Sequence, residues 1–464
     1  MKIPRLLIAG VQSGVGKTTL TLGIMAALKK KGLSVQGFKV GPDYIDTGLH
    51  RCASGIASHN LDSWMCSEEI IKTVFVKNAA RADISIIEGV MGLYDGIKGQ
   101  GIRGSSADIA LILNIPVVLV VNARGLAQSC VALAKGYIDY EPRLNLKGII
   151  LNHAGTYHKN ILKTALQDEL GIKVLGCLPA AGNIKIPERH LGLLPAEENK
   201  QVQSALGSMA GLVEQEIDLD GLLQIAADAS DISHTCSLNE NDNAGITIGV
   251  ARDEAFSFYY QDSLDYMKER GAKIVFFSPL HDRSIPPADG LYIGGGFPEM
   301  FLPQLSSNED MLGSLKDAAR KGMPLFAECG GFIYLTERIT DFKGHLWAGA
   351  GIIPAQATMT DSLAALGYVQ AVALKDSILL NQGAIVKGHE FHYSQISGIN
   401  EHDRAFRLKG GKGPEGRADG YARENVIGSY VHLHLRANAV VVDNFFKACK
   451  KYRRNSLPAE RRIR

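Results

Sequence analysis

The stretch "GVQSGVGKTT" at positions 10–19 follows the apolar run Leu6, Leu7, Ile8, Ala9 and ends in Lys17, Thr18 and Thr19. A strand, a glycine-bearing turn and the start of a helix, in that order, aim backbone N–H groups and a helix N-terminus at phosphate oxygens. Lys17 then neutralises phosphate charge and Thr18 offers its hydroxyl to Mg2+, so Ser13, Gly14, Val15, Gly16, Lys17, Thr18 and Thr19 are the expected ATP contacts. The strict spacing GxxxxGK[ST] has glycine where this chain has Val11, with Gly10 one residue early. A tight glycine turn without a nucleotide is the plainer alternative.

A second set of reactive residues lies in the other half. "PLFAECGGFIYL" at 324–335 reads as a strand running into Glu328, Cys329, Gly330 and Gly331 and then a helix. That is the shape of a nucleophile elbow, where small residues permit a strained turn and the helix N-terminus is expected to lower the thiol pKa of Cys329. A thiolate nucleophile needs an oxyanion hole and a base. Gly295 and Gly296 of "YIGGGFPE", with Gly330 after the thiol, are the candidate N–H donors. "GSYVHLHL" at 428–435 offers His432 and His434, which share a face if the segment is a strand. A lone cysteine is ordinarily a small buried hydrophobe. Elbow, glycine loop and histidine strand together favour the nucleophile.

Positioning these groups requires strands that end beside them. Apolar runs at 6–10, 35–40, 84–88, 116–121, 148–152 and 174–178 alternate with helical stretches, which predicts a parallel sheet covered on both faces with ligands at its carboxyl edge. Runs at 246–251, 273–277, 290–293 and 324–327 predict a second α/β domain. Between them "ADASDISHTCSLNENDNA" turns polar and loses periodicity. The expected division is 1–227, a linker over 228–245, a domain over 246–450 and a basic tail over 451–464, and no internal repeat stands out. The 464 residues, 46% hydrophobic with a formal charge of +2, suit a folded protein and argue against a broad nucleic-acid-binding surface. Seven scattered cysteines with no CxxC pair, no signal-type N-terminus and no apolar run of membrane length lead to an expected cytoplasmic location.

The order of six motifs resembles the cobyrinic acid a,c-diamide synthase family over essentially the whole length. The residues carrying the likeness are "SGVGKTT" at 13–19, "KVGPDYIDTGLH" at 39–50, "IIEGVMGLYDG" at 86–96, "GGGFPE" at 294–299, "ECGGFIYL" at 328–335 and "GSYVHLHL" at 428–435. The resemblance implies an α/β chain that joins a P-loop, parallel-sheet synthetase domain of dethiobiotin synthetase type to a class I glutaminase-like α/β domain. It also implies glutamine, ATP and cobyrinic acid as substrates and Mg2+ as cofactor. A carboxylate is a poor electrophile, so ATP must first make it an acyl phosphate, which ammonia from glutamine then converts to an amide. By the same resemblance Asp43 and Glu88 join Thr18 in metal and phosphate chemistry, with Asp46 close by. Asp95 orients or activates the substrate, and Cys329 and His432 perform the glutaminase step. Asn152, at the end of a strand in "GIILNHAG", is a candidate for reading adenine, with a simple turn residue as the plainer alternative.

Two departures bear on these expectations. In class I glutaminases the base histidine is followed two residues later by glutamate, whereas His432 here is followed by Leu433 and His434, so the usual orienting carboxylate is missing. Partner-positioning ATPases of the MinD and ParA type carry a lysine where this chain has Gln12. Among relatives in the same class, nickel-sirohydrochlorin a,c-diamide synthase makes the same two amides on a nickel-bearing ring, and cobyric acid synthase shares the domain plan. From another class, a P-loop regulatory ATPase fused to an inert glutaminase-like domain is the competing reading. No nucleic acid or membrane partner is expected, and a homodimer is a candidate assembly.

Overall fold

The computed structural model describes residues 2–155, 158–179, 200–232 and 245–456. Two compact units divide the chain, Met1–Ser237 and Leu238–Arg464. The linker expected over 228–245 and the tail expected over 451–464 lie largely outside the described residues.

In the first unit seven strands form one parallel sheet: β1 (Arg5–Gly10), β2 (Val35–Val40), β3 (His59–Leu61), β4 (Ile84–Glu88), β5 (Val117–Asn122), β6 (Leu146–Asn152) and β7 (Lys173–Cys177). Their order is β3-β2-β4-β1-β5-β6-β7, with Leu6 level with Ile86 and Ile8 with Val118. The chain leaves β1 toward one edge and later returns to its other side, so β1 borders the crevice where such sheets bind ligands. Every residue of β1, β2 and β4 is buried, which is why those strands read as largely apolar runs, broken only by residues such as Arg5, Gln36, Lys39, Ser85 and Glu88. Helix α1 (Lys17–Lys30) buries Leu20, Leu22, Ile24 and Leu28 against this sheet, and α2 (Ile45–Ser54) follows β2.

The second unit has a parallel core of β8 (Thr247–Ala251), β9 (Lys273–Phe277), β10 (Gly290–Ile293) and β11 (Leu325–Glu328), joined by the strand Val426–Ser429 beside β11. Two antiparallel-rich sheets that the sequence reading did not foresee occupy much of 336–433. One of them pairs Ile385–His392 with Ala365–Ala373 on one side and with the two-residue strand His432–Leu433 on the other. The expected longer strand through "GSYVHLHL" is thus corrected. Pairing there is limited to Gly388 with Leu433 and His389 with His432, and His434 falls outside the strand.

Among the described residues no helix is long and apolar enough to cross a membrane. The six described cysteines are all buried thiols.

Candidate active site

The P-loop residues Ser13, Gly14, Val15 and Gly16 form the turn between β1 and α1, with Ser13 and Gly14 exposed and Val15 buried. Gly16 caps α1 at φ 92°, a conformation that glycine adopts without strain. A Cβ there would lie 2.3 Å from Asn152 Nδ2, so the close approach also demands glycine. No side chain caps α1, which leaves its first-turn N–H groups for an anion.

Lys17 donates from Nζ to the carbonyls of Gln12, at 3.1 Å, and of Met91. Burial and the nearby Lys39 charge lower its pKa. Thr18 Oγ1 donates to Glu88 Oε1 at 2.6 Å, and Thr19 sits half-buried beside it. Asn152, expected at adenine, serves the loop first: Nδ2 donates to Val15 O at 2.8 Å and Oδ1 accepts from His153 N at 3.0 Å.

Behind the loop lies a buried charge cluster that the sequence reading missed in part. Lys39 Nζ is 2.5 Å from Asp46 Oδ2 and 2.7 Å from Glu88 Oε1, and His50 Nε2 is 2.8 Å from Glu88 Oε2. Burial works against the Lys39 charge, but Glu88 and Asp46 together outweigh it and hold the ammonium above its ordinary range. Burial also works against the Glu88 charge, yet Lys39 and His50 hold this carboxyl below its usual range. Asp46 goes the other way, pushed up to about 8 by burial and by the charges of Glu88 and Asp43. The cluster therefore keeps one firmly ionised carboxylate on Lys39 and one poised to take a proton. Lys39 and His50 were legible only as members of "KVGPDYIDTGLH", since a lysine in an apolar strand carries no signal of its own.

Asp43 Oδ1 accepts from Asp46 N at 2.8 Å, capping the turn into α2. Asp95 is exposed, and its Oδ2 accepts from Gly92 N at 2.8 Å. Its loop is fastened to the end of β1 because Leu93 N donates to Gly10 O at 2.8 Å. Asp95 thus sits at the mouth of the P-loop, apart from the buried cluster.

In the second unit Cys329 takes φ 47° and ψ −102° between β11 and the short helix Gly330–Tyr334. A non-glycine residue with positive φ is uncommon, and strain of this kind lifts a side chain out of a tight turn. Two anchors hold the turn: Cys329 N donates to Ser429 O at 2.8 Å, and Gly331 N to Gly294 O at 3.0 Å. A Cβ on Gly330 would lie 3.0 Å from Gly296 N, and one on Gly295 would lie 2.4 Å from His432 Cε1. The structure therefore brings Gly330, next to Cys329, against Gly296, and Gly295 against His432.

The expected lowering of the thiol pKa does not survive. Burial, then the charge of Glu299, push the Cys329 thiol up, and the Gly330 N–H opposes them only in part. The following helix is a single turn and the thiol is buried, so desolvation wins. His432 moves the opposite way, down to about 3, through burial and the charges of His389 and His392. Both shifts favour the uncharged forms of the thiol and the imidazole.

His434 is separated from this chemistry. Its ring packs 5.4 Å from that of Tyr260, and its Nε2 is 3.8 Å from Asp262 Oδ2, a carboxylate clasped by Arg436 at 2.8 and 2.9 Å. Glu328 Oε2 lies 3.8 Å from His432 Nδ1.

Family models match both halves. The CobQ/CobB/MinD/ParA nucleotide binding domain covers residues 6–194, and the CobB/CobQ-like glutamine amidotransferase domain covers 247–440. A cobyrinate a,c-diamide synthase of Caldanaerobacter subterraneus is 44% identical over 97% of this chain and 99% of its own. Proteins of the same name from Dehalococcoides mccartyi and Picrophilus torridus are 41% and 42% identical, again over 97% of this chain and 99% of theirs. The chain belongs to the cobyrinate a,c-diamide synthase family. It is a P-loop ligase of the glutamine amidotransferase type, with the nucleotide-binding fold in one unit and the amidotransferase fold in the other.

Proposed function

We propose that the chain amidates the a and c carboxylates of cobyrinic acid, using ATP at the P-loop and ammonia released from glutamine at Cys329. In the second unit His432 takes the Cys329 proton as the sulfur attacks the glutamine amide carbon. The C–N bond breaks, ammonia leaves with that proton, and water hydrolyses the thioester to glutamate. Backbone N–H groups of Gly295, Gly296 and Gly330 would donate to the oxyanion, a role supported by the close approach of Gly330 to Gly296.

In the first unit a ring carboxylate oxygen attacks the γ-phosphorus of ATP and ADP departs. Ammonia then attacks the acyl carbon and inorganic phosphate leaves. Lys17 gives up the carbonyls of Gln12 and Met91 for the phosphates, which relieves its desolvation. Asn152 keeps one N–H for the adenine edge while holding the loop.

The oxygen donors Thr18, Asp43 and Glu88 suit Mg2+, which prefers a few protein oxygens completed by phosphates and water. Glu88 already accepts from Thr18, Lys39 and His50, so Thr18 and Asp43 would touch the ion and Glu88 would orient Thr18. Bound there, Mg2+ supplies charge neutralisation at the phosphates.

The observation that carries this reading is the strained Cys329 elbow with His432 against its glycine loop, in a chain that also holds a glycine-bearing loop running into Lys17 and Thr18 at the start of α1. The test is mass spectrometry of the ring after incubation with ATP, Mg2+ and glutamine, offering cobyrinic acid and nickel-sirohydrochlorin separately. Two amides on the cobalt ring support the reading. Amides on the nickel ring alone transfer the substrate assignment to that ring. ATP hydrolysis with amidation of neither favours a regulatory ATPase.

A further inference from the structure

Glu328 is the last residue of β11 and the neighbour of the nucleophile, and its side chain is only 2% exposed. Burying a carboxyl group is costly unless it is hydrogen-bonded or paired. Both its oxygens are engaged: Oε1 accepts from Leu433 N at 2.9 Å, and Oε2 accepts from Tyr292 OH at 2.7 Å. The first bond grips the backbone immediately after His432. Oε2 also faces His432 Nδ1 at 3.8 Å.

The opposite edge of the same imidazole faces the glycine loop. A Cβ on Gly295 would lie 2.4 Å from His432 Cε1 and 3.3 Å from Nε2. A proton on Nδ1, toward Glu328, leaves the Nε2 lone pair on the side of the Cys329 elbow. When that nitrogen takes the thiol proton, the imidazolium forms beside the Glu328 carboxyl group, which stabilises it when ionised. This is the role an orienting acid plays in a nucleophile–histidine–carboxylate arrangement.

We infer that Glu328 is the positioning carboxylate of the glutaminase site, setting the tautomer of His432 and stabilising its protonated form from the residue just before the nucleophile rather than from two residues after the histidine. The inference rests on the glutaminase reading of Cys329 and His432. Glu328 touches neither glutamine nor the reacting sulfur in this role.

Burial pushes the Glu328 carboxyl up to about 8, against the opposing pull of Tyr292 and the Leu433 N–H. The titratable groups facing it are Tyr259, Tyr292, Cys329 and His432, and His389 and His392 face the histidine in turn. Glutamine-dependent turnover should therefore rise with pH as Glu328 ionises.

The decisive variant is Glu328→Gln. Its amide oxygen still accepts from Leu433 N, and its NH2 donates to a Tyr292 hydroxyl that rotates to accept, so the hydrogen bonds survive and only the charge is lost. Glutaminase kcat should drop about 10²-fold, the low end expected when proton transfer is compromised. KM for glutamine and ammonia-supported amidation should stay close to wild type, and the rise of kcat toward pH 8 should disappear. A second variant, Tyr292→Phe, removes a bond that favours the ionised acid and should move that rise to higher pH.

Cys329→Ala is run alongside. If it retains glutamine-dependent activity, the glutaminase reading itself falls. If it abolishes that activity while Glu328→Gln keeps the wild-type kcat and pH profile, the assignment of Glu328 is overturned alone. If Glu328→Gln does not fold, an unmoved profile in Tyr292→Phe overturns it, and the upward shift upholds it.

Discussion

Thr18 Oγ1 donates to Glu88 Oε1 at 2.6 Å, tying the first turn of the P-loop helix to the end of a strand 70 residues further on. Through Glu88 the contact continues to Lys39 and His50, so the hydroxyl expected at the metal is oriented by a buried ion cluster. Asp95, on the exposed loop, lies outside that chain of contacts.

These positions predict different phenotypes for the two acids. Glu88→Gln takes the negative charge from a buried lysine, which should destabilise the first unit by roughly 3 kcal/mol or more and impair both rounds of amidation. Asp95→Asn should leave stability near wild type and slow one round more than the other, so that mono-amide accumulates. A time course of mono- and diamide by mass spectrometry, with thermal melts of each variant, checks both. Equal slowing of the two rounds in Asp95→Asn would place that acid in the common phosphoryl-transfer machinery.

For the histidines the structure sharpens a ranking that the sequence left weak. His432→Asn should reduce glutaminase activity by about 10²- to 10⁴-fold, as expected for loss of a general base, and spare ammonia-dependent amidation. His434→Asn disturbs the cluster of Tyr260, Asp262 and Arg436, so its effect should appear as about 1–3 kcal/mol of stability with kcat largely kept. Rate assays with both nitrogen sources and denaturant titrations separate the two outcomes, and the reverse order would move the base to His434.

What was legible and what was not follows from burial and from distance along the chain. Strands β2, β4, β9 and β10 coincide with the largely apolar runs read from the sequence; β2, β4 and β10 are buried along their length, whereas β9 lies at the sheet edge and leaves Lys273 and Phe276 exposed. Strand β3 is three residues, His59, Asn60 and Leu61, and offers no pattern. Ile353–Met359 alternates buried and exposed positions, a period-two signal that a search for continuous runs passes over. The P-loop, the elbow and the glycine loop were legible because each is a local motif. Glu328 was not, because its partner His432 is more than a hundred residues away and only the pairing of distant strands brings them together.

Stability should depend on pH with a predictable sign. Burial raises Glu328 to about 8, above the ordinary unfolded value of about 4.3, so the folded state binds more protons in between. That contribution is complete below the unfolded pKa and is lost as pH rises toward about 8. His432 and His389, lowered to about 3 and about 4, act oppositely, but their effect is finished above the ordinary histidine value of about 6.5. Asp46, raised to about 8, and Glu299, raised to about 7, act in the same direction, so the Glu328 share is read as a difference: between about pH 6.5 and 8 denaturant unfolding should show wild type losing more stability than Glu328→Gln. Parallel curves would contradict a raised Glu328.

The central claim, that nitrogen release and amide formation occur at separate sites, is tested most directly by changing the nitrogen source in two variants. Amidation of the ring is measured by mass spectrometry for Cys329→Ala and Lys17→Ala, each with glutamine and with an ammonium salt. The account predicts that Cys329→Ala loses glutamine-supported amidation and keeps near wild-type activity with ammonium, while Lys17→Ala loses both. Equal loss of the two activities in Cys329→Ala, or retained ammonium-dependent activity in Lys17→Ala, would contradict it.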